Sequence, residues 1–414
     1  MRIMDSRLTI VIIGAGLGCM QAALSVSRLF SEDSAKILLI DRNNYYTFVL
    51  LLYQVAAAHI EPELIAYPIR TILRRSRNTF FLRANVERVD FSRKIVETNS
   101  ACISYDYLVV ATGSRTQFFK VPGASDYAFA LRTLPLPITL RNHILRCFEQ
   151  ATQVSDLIHR QPFLRIVIVG GGPTGIEIAG TLSELKHAIE KDYPTIDSSE
   201  IKIVLVQSGS HLLSNLPQRL GNYAASKLRR MDVEVRFQSK VSRVTSQSVE
   251  FQDGSSLKSA TVVWAAGLEA TAPSMLDEPQ KASKEKLAVR PTLQLIDHDS
   301  SYAIGDLAYI TQTTKPLAGV APEALQQGVM VARNINNQIQ GKDPKPFSYL
   351  NKGRLAIIGS YAGVGKIGPF LLTGFFPWLM WLAVHLVYLP GFRNRLLVLL
   401  SWLHSYILHK RATR

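Results

Sequence analysis

The chain has 414 residues and a formal net charge of +15, with 47% hydrophobic and 19% charged residues. This length predicts two or three domains, and the composition excludes a largely disordered chain. The three cysteines, Cys19, Cys102 and Cys147, form no CxxC spacing and predict neither a disulfide framework nor a thiolate metal site. The positive charge indicates nucleic acid, an anionic membrane surface or anionic ligands as partners.

Two further classes are excluded by pattern. The nine histidines show no HxxxH or HExxH spacing, so no metal site is predicted. Charges run through Met1–Leu8, and the apolar run after it ends in glycines, so no signal peptide is predicted.

The first predicted unit is a β-α-β module. The β-branched run Leu8–Ile13 is typical of a buried parallel strand, and the turn Gly14-Ala15-Gly16-Leu17-Gly18 follows it at once. A helix is predicted from Met20 to Phe30, and a second buried strand, Lys36–Ile40, ends at Asp41.

This turn has the chemistry of a dinucleotide site, because backbone N–H groups and the positive end of a helix meet a pyrophosphate there. Gly14 would make the tight turn and Gly16 would let the pyrophosphate approach. Cys19 occupies the third glycine position and is interpreted as a packing residue. The preceding Gly18 leaves additional room for close packing of helix and strand. The Asp41 carboxylate is placed to bind ribose hydroxyls, with turn capping as its alternative role.

A second module repeats the pattern. The strand Arg165–Val169 runs into Gly170-Gly171-Gly172-Pro173-Thr174-Gly175, a helix is predicted from Ile176 to about Glu190, and the strand Ile201–Val206 ends at Gln207. A glutamine can bind a ribose hydroxyl and does not repel a 2′-phosphate as a carboxylate would. Gln207 therefore leaves both NADH and NADPH open. The predicted nucleotide contacts of this turn are Gly170, Gly172, Thr174 and Gly175.

Later strands complete each module. Tyr107–Gly113 and Thr261–Gly267 are apolar strands that run into a turn of two small residues and a glycine. Ser301–Ala308 is predicted as a third short strand that returns to the first sheet, with Gly305-Asp306 at its end. The fold class is therefore α/β, with two Rossmann-like domains, the second inserted in the first.

The chain resembles the type II, non-proton-pumping NADH:quinone oxidoreductases of the two-dinucleotide flavoprotein superfamily along nearly its whole length. The similar motifs, besides the two glycine turns, are Leu52-Tyr53-Gln54-Val55-Ala56, Ala66-Tyr67-Pro68-Ile69-Arg70, Trp264-Ala265-Ala266-Gly267, Gly305-Asp306-Leu307-Ala308, Ala324-Leu325-Gln326-Gln327-Gly328, and Trp381, His385, Leu389, Gly391, Phe392 and Arg393 in the tail.

The resemblance implies roles for particular residues. FAD would bind the first module, with Asp306 on its ribityl chain, and a nicotinamide nucleotide would bind the second, with Glu177 near the nicotinamide. Gln326 and Gln327 would lie at the quinone end of the flavin. Their alternative role is to cap a helix or to form hydrogen bonds with the backbone. The remaining implied cofactor contacts are Arg42, Val86, Thr112, Gly113, Ala266 and Gly267. The predicted domains are 1–125 with 288–345 for FAD, 126–287 for NAD(P)H and 346–414 for a membrane-anchoring region.

The predicted reaction passes a hydride from NAD(P)H to FAD and then reduces a membrane quinone, since the cofactors carry this chemistry and no Ser-His-Asp or paired-carboxylate constellation is apparent. Glu323 could relay a proton, although a solvated carboxylate at a helix end is the favoured interpretation. Alternatives are a sulfide:quinone-type or disulfide reductase, disfavoured because a cysteine pair is missing, and a dinucleotide sensor resembling apoptosis-inducing factor. Nucleic-acid binding is not predicted, because the basic residues are dispersed. A homodimer is implied by the resemblance.

The C-terminal segment predicts binding to a membrane surface. Pro369–Leu389 is 21 residues without a formal charge, but Gly374 and Pro377 interrupt it, so two short helices in the interface of the cytoplasmic leaflet are predicted. Trp378, Trp381 and His385 are expected to face that interface, with Arg393 and Arg395 reaching headgroups and Lys410, Arg411 and Arg414 adding attraction. Truncation from Gly374 onward is expected to release soluble protein that still oxidises NAD(P)H.

Overall fold

The computed structural model describes residues 7–189, 192–277, 279–282, 285–310 and 319–408. The predicted basic residues Lys410, Arg411 and Arg414 lie outside the described residues. The chain forms two compact units. Unit 1 consists of Met1–Thr47, Tyr67–Arg115 and Leu268–Asn351, and unit 2 of Phe48–Ala66, Thr116–Gly267 and Lys352–Arg414. The predicted domain boundaries remain predictions.

The helices of the described residues are, in chain order, α1 (Leu17–Leu29), α2 (Leu52–Ala56), α3 (Ile69–Leu73), α4 (Ala124–Tyr127), α5 (Pro135–Thr152), α6 (Leu157–Leu164), α7 (Pro173–Ile189), α8 (Gln218–Arg230), α9 (Ala321–Ile339), α10 (Phe375–Tyr388) and α11 (Phe392–Leu408).

The strands of the same residues are β1 (Leu8–Ile13), β2 (Ala35–Asp41), β3 (Tyr45–Thr47), β4 (Ala66–Pro68), β5 (Thr79–Arg83), β6 (Val86–Asp90), β7 (Ile95–Thr98), β8 (Cys102–Ser104), β9 (Tyr107–Val110), β10 (Ser114–Thr116), β11 (Ala128–Ala130), β12 (Arg165–Val169), β13 (Lys202–Val206), β14 (Val233–Arg236), β15 (Val241–Val244), β16 (Ser248–Phe251), β17 (Ser256–Lys258), β18 (Thr261–Trp264), β19 (Leu268–Ala270), β20 (Ser274–Leu276), β21 (Leu287–Val289), β22 (Gln294–Leu295), β23 (His298–Ala303), β24 (Ala308–Ile310), β25 (Arg354–Ile357), β26 (Gly363–Ile367) and β27 (Phe370–Gly374).

Unit 1 is built on an eight-stranded sheet in the order β24-β21-β22-β23-β9-β1-β2-β5. The strands from β23 to β5 in this order run parallel, and Ile10, Val11 and Ile12 of β1 are fully buried, as a continuous apolar run in a parallel sheet requires. The third strand, β23, pairs with β9 and so returns to the first sheet, as predicted. The carboxyl ends of β1, β2, β9 and β23 consequently share one edge of the sheet.

Unit 2 repeats the arrangement with a parallel five-stranded sheet in the order β11-β18-β12-β13-β14. Its core includes Val167, Val204 and Val262 from the sheet and Val249 from β16 of the neighbouring meander β15-β16-β17, all at 1% exposure or less. The two α/β sheets, each with a glycine turn between its first strand and first helix, confirm the predicted fold class.

The C-terminal part of unit 2 differs from the prediction at one point. The segment Phe370–Gly374 is the third strand of an antiparallel sheet, β25-β26-β27, and α10 begins only after Gly374. Gly374 has φ +90°, a conformation that glycine adopts without the strain of a Cβ atom. The apolar run thus contributes a strand before its first helix, and the two predicted helices follow as α10 and α11.

Candidate dinucleotide sites and a buried glutamate

The glycine turn of unit 1 leaves one side open for a phosphate. Gly14 has φ +106°, and a Cβ atom there would lie 2.7 Å from the Ala111 carbonyl oxygen, so the turn needs glycine. A Cβ atom at Gly16 would meet no atom within 4 Å, which fits the approach of a pyrophosphate to the backbone. Cys19 lies beneath the turn with its Sγ 3.1 Å from the Ala111 oxygen, and burial raises the pKa of its thiol to about 12, so it packs as a neutral group.

Gly18 serves a contact between helices. A Cβ atom on Gly18 would lie 3.1 Å from the Ala324 oxygen of α9, and one on Gly328 of α9 would lie 2.5 Å from the Gly18 oxygen. The backbones of α1 and α9 therefore meet directly at these two glycines. The structure places Gly18 in this contact, whereas its predicted role as a cofactor contact remains a prediction.

Asp41 ends β2 and holds the glycine turn. Its Oδ2 accepts a hydrogen bond of 2.8 Å from the Ala15 N–H, and its Oδ1 accepts one of 2.8 Å from the Asn43 N–H. Burial raises the pKa of this carboxyl, and the two backbone donors oppose that rise. Each oxygen keeps a further lone pair for a ribose hydroxyl, so the capping role and the ribose role are compatible. Arg42 follows Asp41 and is exposed, and the predicted Val86 begins β6.

Asp306 lies at the same carboxyl edge of the sheet. Gly305, with φ +71°, turns the chain after β23, and the Ser114 hydroxyl donates to Asp306 Oδ2 at 2.5 Å. At the end of β9, the Thr112 hydroxyl donates to the Thr271 carbonyl oxygen, and Gly113 has φ +78°. The open turn, Asp41 and Asp306 are donor and acceptor groups suited to the pyrophosphate and hydroxyls of FAD, so the residues fit this cofactor.

The side chains of Gln326 and Gln327 both form hydrogen bonds with backbone groups. Gln327, 1% exposed, accepts from the Gly305 N–H at 2.6 Å and donates to Glu323 Oε1 at 2.9 Å. Gln326 forms two 2.9 Å bonds with the backbone of Leu350. This is the alternative role that the sequence left open, and a contact with quinone stays a prediction.

The interpretation of Glu323 as a solvated carboxylate is wrong. This residue is 3% exposed, and its Oε2 accepts from the Gly319 N–H at 3.2 Å while its Oε1 accepts from Gln327. An acidic residue in the first turn of a helix is usually exposed to solvent. Here Gln327, one turn later in α9, compensates its burial.

Replacing Asp306 with alanine is expected to yield protein that loses most of its flavin on purification, because the carboxylate would be the acceptor for a ribityl hydroxyl. The flavin-to-protein absorbance ratio measures the occupancy. Asp299→Ala, at an exposed carboxylate near the other end of β23, is the matched control. Full occupancy in the Asp306 variant would contradict the assignment.

The glycine turn of unit 2 has the same form. A Cβ atom at Gly170, which has φ +112°, would lie 2.9 Å from the Ala266 nitrogen, and one at Gly175 would lie 1.8 Å from the Gly170 oxygen. A Cβ atom at Gly172 would meet nothing within 4 Å, as at Gly16. Thr174 lies in the first turn of α7, and Gly267, with φ +71°, follows Ala266 at the carboxyl end of β18. The first and third glycines close the turn, and the second leaves it open to a phosphate.

Gln207 occupies the position in unit 2 that Asp41 has in unit 1. Its Oε1 accepts from the Gly171 N–H at 2.9 Å, as Asp41 accepts from the Ala15 N–H. Because the oxygen holds the turn, the group that Gln207 retains for a ligand is its amide NH₂, a donor. A donor serves a ribose hydroxyl and also a phosphate.

Glu177, in α7 of unit 2, is a buried carboxyl whose pKa is strongly perturbed. It is 8% exposed, and burial raises its pKa to about 8, against the smaller opposing effects of hydrogen bonds from the Ile357 N–H at 3.4 Å and from Trp381. At neutral pH the carboxyl is therefore mostly protonated. A perturbed acid near a dinucleotide turn is a candidate proton donor.

Two tryptophans of the C-terminal helices bind polar groups in the interior of unit 2. The Trp381 indole of α10 hydrogen-bonds to Glu177, and the Trp402 N–H of α11 donates to Gln54 Oε1 at 2.8 Å. Gln54 is fully buried and its Nε2 donates to the Tyr53 hydroxyl at 3.1 Å. Sequence reasoning missed these partners, although Tyr53, Gln54 and Trp381 all lie in motifs of the family resemblance.

The expectation that Trp378, Trp381 and His385 face a membrane interface is wrong. Trp378 is 5% exposed and Trp381 1%, and the His385 ring stacks on Trp381 with ring centroids 3.7 Å apart. Burial lowers the pKa of His385 to about 4, so this ring is neutral. Arg395 donates from Nε to the Leu389 carbonyl oxygen at 2.6 Å but remains exposed, so its predicted contact with headgroups stays a prediction. Helical spacing predicted one face correctly, but that face is turned into the protein.

Comparison with known proteins places this chain and its fold in a class. The family of pyridine nucleotide-disulphide oxidoreductases matches residues 8–328. NDH2 from Plasmodium falciparum, solved in complex with NADH, has a TM-score of 0.89 at 21% sequence identity, with 96% of this chain and 98% of that chain covered. A sulfide:quinone oxidoreductase from Aquifex aeolicus shares the fold at a TM-score of 0.74 and 17% identity, with 95% of each chain covered.

The type II NADH:quinone oxidoreductase Ndh of Mycobacterium tuberculosis is 32% identical over 419 residues, covering 97% of this chain and 89% of the relative. This chain belongs to the type II NADH:quinone oxidoreductases, within the pyridine nucleotide-disulphide oxidoreductases. The resemblance inferred from its motifs is thereby confirmed.

Proposed function

We propose that this protein is an FAD-dependent NADH:quinone oxidoreductase that reduces a membrane quinone by two electrons without pumping protons. Family membership over nearly the whole chain carries the proposal. The two open glycine turns, with Asp41 and Gln207 at matching positions, support one dinucleotide in each unit. FAD held by the residues of unit 1 would supply the chemistry of accepting a hydride and of releasing two electrons to a quinone.

The residues of the chain bind, orient and supply protons. In unit 1, Asp41 and Asp306 would hold the hydroxyls of FAD, while the N-terminus of α1 would face its pyrophosphate. In unit 2, the N-terminus of α7 would do the same for NADH, and Glu177, on the first turns of that helix, would lie near the nicotinamide. Its neutral carboxyl is a proton store at physiological pH, and we assign the proton for quinol formation to it.

The direct test uses protein purified from membranes. Its flavin spectrum is expected to bleach with NADH under anaerobic conditions and to recover when a quinone is added. Flavin that bleaches with sulfide but not with NADH, and that recovers with a quinone, would favour the sulfide:quinone-type alternative. A protein without bound flavin would contradict both.

Gln207 predicts appreciable use of NADPH beside NADH, because its amide NH₂ can donate a hydrogen bond to the 2′-phosphate. Gln207→Glu is expected to depress kcat/KM for NADPH about fivefold or more while changing that for NADH little, since a charge beside a partly screened phosphate costs about 1 kcal/mol or more. Steady-state kinetics with both nucleotides measure this. Glutamate keeps an oxygen that accepts from the Gly171 N–H, so the substitution should leave the conformation of the turn unchanged. Wild-type protein that ignores NADPH would contradict the prediction.

Membrane association is proposed to be monotopic. In the described part of the chain, no helix combines the length and the hydropathy of a transmembrane span. The exposed apolar residues form a stripe along each C-terminal helix, with Phe376 at 73%, Val387 at 67% and Phe392 at 81% exposure. No aspartate or glutamate follows Asp343 in the sequence, so the same segment favours an anionic headgroup surface.

Two finer points stay proposals. We place the protein on the cytoplasmic-side leaflet, which protease protection in oriented vesicles would test. We also propose a homodimer, on the basis of the family resemblance, and sedimentation in mild detergent would test that state.

A further inference from the structure

The chain after β13 forms a closed loop on the glycine turn of unit 2. The loop begins at Gln207, whose Oε1 accepts from the Gly171 N–H at 2.9 Å, and it ends at Leu213, whose N–H donates to the Gly171 carbonyl oxygen at 2.8 Å. Leu213 has φ +55°, a left-handed conformation that is typical of a tight turn. Residues 208–212, the 208–212 loop, are therefore held beside the turn that would bind the pyrophosphate of NADH.

Neighbouring segments of unit 2 fix the backbone of this loop. The Gln238 N–H, which follows β14, donates to the Gly209 carbonyl oxygen at 3.0 Å. A Cβ atom on Gly221 of α8 would lie 2.2 Å from the Leu212 carbonyl oxygen, so the backbone of α8 packs directly on the loop. The protein itself orders the 208–212 loop, and a preorganised loop binds a ligand at a lower entropic cost.

The amide NH₂ of Gln207 borders the same loop. Its Nε2 lies 3.3 Å from the position that a Cβ atom on Gly209 would take, so the missing side chain leaves room for the amide. Gln207 stands where the dinucleotide-binding fold contacts the ribose of the adenosine half. A group attached to the 2′-oxygen of that ribose would therefore meet the 208–212 loop.

The loop presents hydrogen-bond donors to such a group. Ser208 and Ser210 are exposed, and Ser210 Oγ lies 3.2 Å from His211 Nδ1. If the hydroxyl donates in this bond, His211 keeps an Nε2–H donor, and if the ring donates, the Ser210 O–H remains available. The Ser210–His211 pair thus offers a donor to a ligand in either arrangement.

The surrounding sequence carries no negative charge. No aspartate or glutamate lies between Glu200 and Asp232, a stretch that contains five lysine and arginine residues. In unit 1 the side chain that matches Gln207 is the Asp41 carboxylate, which suits an unphosphorylated ribose and would repel a phosphate. The two glycine turns therefore share their form and differ in charge where a substituent of the ribose would lie.

We propose that the 208–212 loop, with the Ser210–His211 pair as its donors, is a subsite for a phosphate on the 2′-oxygen of the adenosine ribose. The ligands are 2′-phosphorylated adenine nucleotides, among which NADPH donates a hydride. Gln207 admits this phosphate without repulsion, whereas Ser210 and His211 would select for it. The inference rests on the proposed function, because it concerns the nucleotide site of unit 2.

The test measures equilibrium binding of three nucleotides to the full-length, FAD-loaded protein by calorimetry. Adenosine 2′,5′-bisphosphate differs from adenosine 5′-monophosphate only in its 2′-phosphate, and adenosine 3′,5′-bisphosphate carries that phosphate on the neighbouring oxygen. None of the three has a nicotinamide, so no electrons move. Wild type should bind the 2′,5′-isomer about tenfold or more tightly than the other two, which corresponds to one charge-assisted hydrogen bond.

Variants of the pair separate phosphate binding from loop structure. Ser210→Ala and His211→Phe each leave one donor, so each should reduce the preference for the 2′,5′-isomer in part, and the double variant should reduce it to about twofold or less. His211→Lys should raise the preference, because it adds a cation. His159→Phe, at an exposed histidine of α6, is the matched control and should leave all three affinities unchanged.

Three results would overturn the subsite. Equal binding of the two bisphosphates by wild type would attribute the effect to the net positive charge of the chain. A double variant with the full preference would exclude the Ser210–His211 pair, and one that loses affinity for all three nucleotides equally would assign the pair to loop structure. Failure of the proposed function is distinct, since NADH would then fail to bleach the wild-type flavin whatever the three affinities.

Discussion

Replacing Glu177 with glutamine is expected to slow flavin reoxidation by quinone about 100-fold, the usual range for losing a general acid, while flavin reduction by NADH changes little. The amide matches the carboxyl in shape and keeps an oxygen for the Ile357 and Trp381 N–H donors, but it cannot release a proton. Stopped-flow measurement of the two half-reactions separates the effects. An equal loss in both would instead assign Glu177 to positioning the nicotinamide.

The same substitution has a signature in stability against pH. The pKa of Glu177 is about 8 in the folded chain against an ordinary 4.5, so between these values the folded state holds a proton that the unfolded state has released. The free energy of unfolding therefore falls as pH rises through this window, by at most about 1.4 kcal/mol per pH unit from this group. Glu177→Gln should remove that part of the slope, which unfolding midpoints from pH 5 to pH 8 would reveal. Identical slopes would show that the carboxyl is not buried as a neutral acid.

Truncation before Phe375 is expected to destabilise unit 2 rather than merely release it from the membrane, which corrects the expectation drawn from the sequence. It would remove Trp381 and Trp402, which are 1% and 2% exposed, and leave Gln54 and Glu177 without their indole donors. Loss of each buried tryptophan costs about 3–5 kcal/mol. The shortened protein should aggregate or unfold at a much lower temperature.

A matched variant separates anchoring from packing. Phe376→Ser, Val387→Ser and Phe392→Ser change only strongly exposed residues of α10 and α11, so the combined variant should keep the wild-type melting temperature. It should sediment poorly with anionic vesicles, yet still pass electrons from NADH to ferricyanide. A truncated protein that melts as wild type, or a triple variant that melts far below it, would refute this division of the two helix faces.

The sequence predicted those parts of the fold whose residue pattern depends only on neighbouring residues in the chain. The bounds of β1 and of β12 agree with the apolar runs, because a strand buried on both faces needs such a run. The pairing of Phe370–Gly374 was missed although β26 and β27 form a hairpin across the two residues Gly368 and Pro369, because its apolar residues were interpreted as part of a membrane-binding segment.

For the sites, spacing located the glycine turns but could not identify partners distant in sequence. Glu177 was chosen from its motif, but its high pKa results from its burial in the folded chain, which a hydrogen bond from Trp381, more than 200 residues later, only partly opposes. The burial of Glu323 depends on Gln327, whose spacing of one turn is visible, and on Gly319, whose contribution is not. Periodicity showed that Trp378 and Trp381 share a helix face, and only packing decides which way a face turns.

The shared bond at Asp41 and Gln207 restricts how coenzyme choice in this protein can be re-engineered. In each unit the side chain that would bind the ribose also accepts a hydrogen bond from the turn that would bind the pyrophosphate. Substitution by alanine or serine would remove the hydrogen bond to the glycine turn together with the contact to the ribose. The resulting loss of affinity for both nucleotides could then be mistaken for a change of selectivity between them. Only residues with a planar terminal group, one atom for the turn and one for the ligand, alter preference alone. At position 207, glutamate is the substitution that keeps both the length of glutamine and its two terminal atoms.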